Sequence, residues 1–288
     1  MNKCLFSISD LNRLDIILIL KYSFFFEKRR NHNILSNTRL LIFLDSSSTR
    51  TRLSTEIAIN ELGGKPIVMF NHDSQLYKGE GIIEATSVIS SYFDFVLFRT
   101  SDAYRTNVFK KKGNSIFINL LDPSEHPCQV ISDLFTIIKH NTYFNDIVIS
   151  WVGRNNNMFR SWLLISEIFN IKFCYFLPTK ECVRNVFTKK FLLNNSSVIM
   201  TDSWNIIGEV TNDNFSELKI RLKHINRKHS FLFMHCLPAN IGKEVDNKTL
   251  YYKNSIVFKQ SYNKITTIKG IIYFYFKTIA YNSRPCVI

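Results

Sequence analysis

The sequence predicts an α/β protein made of two doubly wound lobes with largely parallel sheets. Two observations carry this expectation. Apolar bursts of strand length alternate with longer helical patterns, and the alternation comes in two separate series. At 288 residues the chain is long enough for two domains, each with its own core.

The elements follow in order. "RLDIILILKYSFFFEKRR" (13–30) is apolar but interrupted by Asp15 and Lys21, and it falls short of the ~20 uninterrupted residues that a bilayer span needs. It reads as a buried helix, and no membrane association is expected. "RLLIFL" (39–44) reads as a buried strand, and "LSTEIAINEL" as a helix with Leu53, Ile57 and Leu62 near one face. Gly63 and Gly64 stop that helix before the next strand, "PIVMF" (66–70). "DFVLFR" (94–99) and "SIFINL" (115–120) complete the first series. The second series runs through "NDIVISWV" (145–152), a helix over "MFRSWLLISEIF", then "IKFCYFL" (171–177), "SVIMTD" (197–202), "SFLFMHCL" (230–237) and "SIVF" (255–258). Domains are expected at 1–138, joined by 267–288, and at 139–266. In sheets of this kind ligands sit beyond the carboxyl ends of the strands, with the cleft between lobes as the default site.

Composition narrows the function classes. The net charge of +14 is scattered in short pieces such as "EKRR" and "FKKKGN" rather than gathered into a footprint for phosphates, so no nucleic-acid partner is expected. Phe 25 against Gly 9, with abundant Asn, Ile and Lys, is the coding bias of an AT-rich genome. The six cysteines have no paired metal-ligand spacing, so reduced thiols in a cytoplasm are the simplest reading.

Four stretches carry chemistry. In "SSSTRTR" (46–52) a strand gives way to a helix through small hydroxyl residues and two arginines. Free N–H groups and the helix dipole there favour an anion, and Ser48, Thr49, Arg50 and Thr51 add donors that match phosphate; the plain alternative is a Ser/Thr cap beside an exposed Arg. Arg99 ends its strand and aims another cation at the same edge. "HPCQ" (126–129) opens a helix, and His126 and Gln129 are neutral groups able to hold a carbonyl, or else a core histidine and a surface glutamine. "HCLP" (235–238) ends a strand with the Cys236 thiol at the sheet edge, where a small buried hydrophobe is the alternative.

In this order, these four motifs resemble the carbamoyltransferases, specifically the ornithine branch of that family, over nearly the whole chain from "LFSISDLNRLD" to "TTIKGII". Cys236 stands where the aspartate branch usually has proline. The resemblance implies transfer of the carbamoyl group of carbamoyl phosphate to L-ornithine, as in arginine biosynthesis, with neither metal nor organic cofactor. It implies a homotrimer in which the loop "QLYKGEGIIEAT" (75–86) reaches a neighbouring subunit's site. Carried over by position, Ser48, Thr49, Arg50, Thr51 and Gln75 hold the phosphate, while Arg99, His126, Gln129 and Lys264 hold the carbamoyl phosphate further. Asn157, Asp202, Ile206, Ile207, Cys236 and Leu237 form the ornithine side. Arg50, Arg99, His126, Asp202 and Cys236 are the catalytic set, and the C-terminal helix packs back on the first lobe.

The departures from the family pattern gather on the amino-acid side. "FLDSSSTRTR" puts Ser46 where a lysine is usual, weakening the local positive field, and "GRNNN" puts Arg154 and Asn155 where the family has Asp and Gly. "DSWNIIG" carries Ile206 and Ile207 in place of Ser and Met, and Lys264 replaces an arginine, keeping the charge but losing the fork. Three outcomes follow for the second substrate: ornithine with tolerated drift, another amine such as an N-acylornithine or putrescine, or a binding protein that has lost turnover.

Overall fold

The computed structural model describes residues 4–30, 32–140, 147–178, 181, 187–204, 215–226 and 230–282. The chain divides into two compact units, residues 1–135 with 262–288, and residues 136–261.

In the first unit, α1 (Arg13–Glu27) starts on a reciprocal cap in which Asn12 and Asp15 satisfy each other's backbone N–H groups. A four-stranded sheet follows from β1 (Arg39–Leu44), β2 (Lys65–Phe70), β3 (Phe95–Arg99) and β4 (Ile116–Leu121). The helices between them are α2 (Thr49–Glu61), α3 (Ile82–Tyr92) and α4 (Ala103–Lys112), and α5 (Pro127–His140) leaves the sheet, with Pro127 at its first position. Strand order is β2-β1-β3-β4 and every pairing is parallel. β1, β3 and β4 are buried on both faces and read as continuous apolar runs, which is why they show no alternation in the sequence, while β2 at the edge stays partly exposed. Phe6, Phe98, Phe109 and Phe117 stack or meet edge to face in one cluster, so much of the phenylalanine excess is core.

The second unit repeats the plan with β5 (Val148–Val152), α6 (Asn157–Phe169), β6 (Lys172–Phe176), α7 (Lys189–Asn195), β7 (Val198–Thr201) and β8 (Leu232–His235). Its order, β6-β5-β7-β8, is again all parallel. The short α8 (Asn247–Leu250) precedes α9 (Val257–Asn282).

Two expectations change. "SIVF" is not a strand: Ser255 makes an isolated bridge to Phe233, and Val257 already begins α9. A four-residue apolar run has too few residues to show which period it follows. On α2, Leu53 and Ile57 are exposed, and the buried face is Thr51, Ser54, Thr55, Ala58 and Ile59. Small side chains let the helix lie close to the sheet, an arrangement that hydrophobicity alone does not reveal.

The C-terminal helix packs on the first unit. Lys269, 2% exposed, donates to the carbonyls of Phe26 and Arg29 at 3.0 and 3.2 Å and pairs with Glu61 at 2.6 Å. One buried ammonium thus caps the C-terminal end of α1 and pins the last residue of α2 to α9. Where α9 crosses α1, Gly270 has no room for a side chain: a Cβ there would lie 2.3 Å from Ser23 Oγ and 2.7 Å from the Ile19 carbonyl.

Candidate active site

The order β2-β1-β3-β4 makes the chain leave β1 toward one side and return on the other, so the carboxyl ends of β1 and β3 flank a switch point. Both phosphate-type motifs end up there. Ser48 occupies the N-cap position of α2 with extended backbone, yet no side chain caps the helix. The Ser48 hydroxyl instead accepts from Arg99 Nη1 at 3.0 Å, and the same nitrogen donates to Thr51 Oγ1 at 3.1 Å. The ordinary-cap alternative therefore fails for Ser48, and the helix start keeps its positive end for an anion. Arg99 reaches this place through a break in register: Phe98 pairs with Asn119, but Arg99 pairs with Leu121. Such an irregularity re-aims a side chain at a strand end. Arg50 is half-buried in the first turn, Thr49 is exposed, and Gln75 stands exposed in the short turn Gln75–Lys78.

One part of this half-site was missed by the sequence reading. Asp45, directly after β1, pairs with Arg105 and accepts from Thr100 Oγ1 and from the Ser101 N–H at 2.9 Å. Arg105 also donates to Asn71 at 3.3 Å and lies over the Phe43 ring. The side chains of Arg105 and Asp45 are only 13% and 9% exposed. The network fastens the exit of β1 to the exit of β3 and neutralises an acid next to the anion position. Ser46 itself is exposed and adds no charge to this corner, where Arg105 only offsets Asp45. The signal was an acid at a strand end that needs a counter-charge; its partner, 60 residues on, had no local mark.

His126, 4% exposed at the entrance to α5, has Lys264 Nζ 3.5 Å from its Nε2, and Lys264 is itself 4% exposed on α9. Burial, then the charges of Lys264 and Arg99, hold His126 well below the usual imidazole range, so the ring is neutral. An ammonium facing Nε2 leaves the ring proton on Nδ1. Gln129 donates its amide nitrogen to the buried carboxylate of Asp133 at 2.8 Å, which leaves the amide oxygen as its accepting end. The Cys128 thiol, buried and donating to the Asn119 carbonyl at 3.3 Å, is pushed up to about 12 by burial and is inert.

His126 makes stability depend on pH with a definite sign. Its folded-state value lies below its unfolded one, so the unfolded chain binds the proton more readily. The contribution is complete above about pH 6.5 and is lost as pH falls below it, at about 1.4 kcal/mol per unit of separation. Urea midpoints measured from about pH 8 down to about pH 5 should fall, and His126→Gln should flatten the decline; an unchanged slope would count against a buried neutral ring.

In the second unit the same topology sets β5 beside β7, with β8 next. Three loops meet at their carboxyl ends. Asn156 caps α6 through its side-chain oxygen and donates its amide nitrogen to Asp202 Oδ2 at 3.0 Å. Asp202 Oδ1 accepts from the Ser203 N–H and from the Cys236 thiol, both at 2.8 Å. Asn240 donates to Ser203 Oγ at 3.1 Å. Behind them, buried His235 accepts the Leu237 N–H on Nδ1 at 2.9 Å and turns Nε2 toward buried Glu244 at 3.3 Å. That pair holds Leu237 in a left-handed backbone, φ 56°, which fixes the direction of the chain after Cys236. Cys236 is thus half-buried and bonded to a carboxylate, which is not the environment of a core hydrophobe.

Asn157, the first residue of α6, is buried, and its neighbour Asn156 donates to Asp202. Ile206 and Ile207 lie outside the described residues. Asp202, His235 and Cys236 each bring one ligating atom within 4.8 Å of the others. Both His235 nitrogens are already engaged by Leu237 and Glu244, so this histidine orients the loop rather than offering a ligand position. Among the described residues, no helix is long and apolar enough to cross a membrane.

Comparison with known proteins assigns both halves. Residues 3–139 match the carbamoyl-P binding domain of aspartate/ornithine carbamoyltransferases, and residues 186–275 match the Asp/Orn binding domain. The ornithine carbamoyltransferase of Archaeoglobus fulgidus is 30% identical, covering 94% of this chain and 96% of its own length. That of Ruthia magnifica is 28% identical over 94% of this chain and 98% of its own. The crystal structure of ornithine carbamoyltransferase from Burkholderia thailandensis superimposes with a TM-score of 0.86 at 25% identity, covering 96% of this chain and 99% of that one.

Proposed function

We propose a reaction from one premise: the chain belongs to the aspartate/ornithine carbamoyltransferase family and is an enzyme of that kind. The reaction is transfer of the carbamoyl group of carbamoyl phosphate to the δ-amine of L-ornithine, giving L-citrulline and phosphate, as a step in arginine biosynthesis. The enzyme works as a cytoplasmic homotrimer, with Gln75 supplied to the adjacent protomer's phosphate site.

The observation that supports an amine over a dicarboxylate as second substrate is the charge at the edge of the second sheet. Asp202 is a carboxylate bonded to a thiol and two N–H donors, and Arg154, which reaches the Trp204 carbonyl two residues on, is already paired with Glu181 at 2.6 Å. An ornithine ammonium finds a partner in Asp202; the side chain of aspartate would meet a like charge.

The chemistry needs no strong base, because carbamoyl phosphate is already activated. The phosphate takes the start of α2, with Ser48, Thr49, Arg50, Thr51 and Arg99 around it, and the helix dipole and two guanidiniums stabilise the charge it carries away. Neutral His126 donates through Nδ1 to the carbamoyl oxygen, the Gln129 oxygen accepts from the carbamoyl NH2, and Lys264 fixes the imidazole tautomer. Asn157 holds the amino-acid end of ornithine, the side to which the family resemblance also assigns Ile206 and Ile207. Asp202 and Cys236 hold the δ-nitrogen, which must shed one proton before its lone pair attacks. As the C–N bond forms, the C–O bond breaks, and phosphate departs with the electron pair and takes up the second proton that the new C–N nitrogen releases.

The test is citrulline formation from carbamoyl phosphate and L-ornithine, with N-acetylornithine, putrescine and aspartate in parallel. Turnover with ornithine that is lost in Arg50→Ala is expected. Turnover confined to another amine would overturn the ornithine assignment and make Ile206 and Ile207 specificity residues.

A further inference from the structure

The loop after β5 carries an arginine that the proposed chemistry does not use, and its surroundings give it a task. Arg154 is 6% exposed. Its Nε pairs with Glu181 Oε1 at 2.6 Å, and the next residue's N–H, that of Asn155, donates to Glu181 Oε2 at the same distance. Glu181 therefore grips two consecutive residues of this loop. The other end of the guanidinium faces the amine side: Nη1 donates to the Trp204 carbonyl at 3.1 Å, and the group lies 4.7 Å above the Phe215 ring, which in turn meets the Trp204 indole at 6.0 Å. The Arg154 carbonyl accepts from the Trp151 indole at 3.2 Å, so the loop is held to its own strand as well.

Two bonds thus cross from one loop to the other, two residues apart on each side. Asn156 holds the carboxylate of Asp202, and Arg154 holds the carbonyl of Trp204. We infer that Arg154 is a positioning residue for the amine substrate: through the Trp204 carbonyl it fixes the segment 202–204 and so aims Asp202, without touching substrate itself. The inference rests on the ornithine reading above for its substrate and on the geometry alone for its clamp. A planar fork is what allows one side chain to serve Glu181 and Trp204 at once; a lysine reaches only one of them.

The experiment compares Arg154→Met, Arg154→Lys and the double variant Arg154→Met/Glu181→Met with the unaltered enzyme. The double variant exchanges a buried ion pair for apolar side chains, a change that commonly keeps the fold while removing the tie to Trp204. Expected for Arg154→Met and for the double variant is a rise in KM for ornithine of about tenfold or more, with KM for carbamoyl phosphate within about twofold, as befits loss of a contact specific to one half-site. Arg154→Lys should recover part of the difference. A second readout is independent of turnover. The protein has three tryptophans, of which Trp151 and Trp162 are buried and Trp204 is partly exposed. Release of the clamp should shift the emission to longer wavelength, and the shift should vanish when Trp204→Phe is added.

Equal changes in both KM values, or a normal KM for ornithine in the double variant, would overturn the positioning role. Unshifted emission in a folded double variant would overturn the clamp. If the unaltered enzyme carbamoylates no ornithine, the substrate reading falls, and the fluorescence arm still decides whether Arg154 holds segment 202–204.

Discussion

Arg99→Ala is expected to lower kcat/KM for citrulline formation by about a thousandfold, roughly 4 kcal/mol of transition-state stabilisation. The size follows from two roles held by one side chain. In the proposed reaction its charge faces the leaving phosphate, and its Nη1 donates to both Ser48 and Thr51, so its removal also loosens the hydroxyls that line the start of α2. Arg99→Lys should return only part of the activity, because a single ammonium on a flexible stem does not reproduce the planar spread of the guanidinium. Steady-state assays with both substrates varied would decide the matter. A loss of under about tenfold would place the anion elsewhere.

Asp202→Asn is expected to cost about a hundredfold to a thousandfold in kcat/KM for ornithine while leaving carbamoyl phosphate binding unchanged. The substitution keeps shape and removes the charge that, in the proposed reaction, receives the ammonium. The donors now aimed at Asp202, from Asn156, Ser203 and Cys236, would face one acceptor oxygen in place of two. Calorimetry with carbamoyl phosphate separates the two halves: tight binding with lost turnover supports the assignment, and weakened binding of the phosphate compound would show that Asp202 acts on the other substrate. These two substitutions therefore probe one half-site each, and their effects on KM should not resemble one another.

The sequence by itself determined the strand positions of both sheets to within a residue or two, apart from the start of β5, because the central strands, buried on both faces, must be apolar throughout and the edge strands are short apolar runs between turn signals. It also placed Ser48, Arg50, Thr51 and His126 at the junctions of a strand, a loop and a helix, where local rules apply. The tertiary structure decided the rest. It turned "SIVF" into the approach to α9 and exposed Leu53 and Ile57, because packing, not periodicity, chooses the buried face of a helix lined with small residues. It supplied Arg105 for Asp45, Lys264 for His126 and Glu181 for Arg154, pairs separated by 60, 138 and 27 residues. Charges seek their partners through space, and nothing in a linear pattern records a distance across a sheet edge. The same cause explains why Arg154 read in the sequence as a departure from a family loop, when in the fold it is the side chain that ties that loop to the segment carrying Asp202.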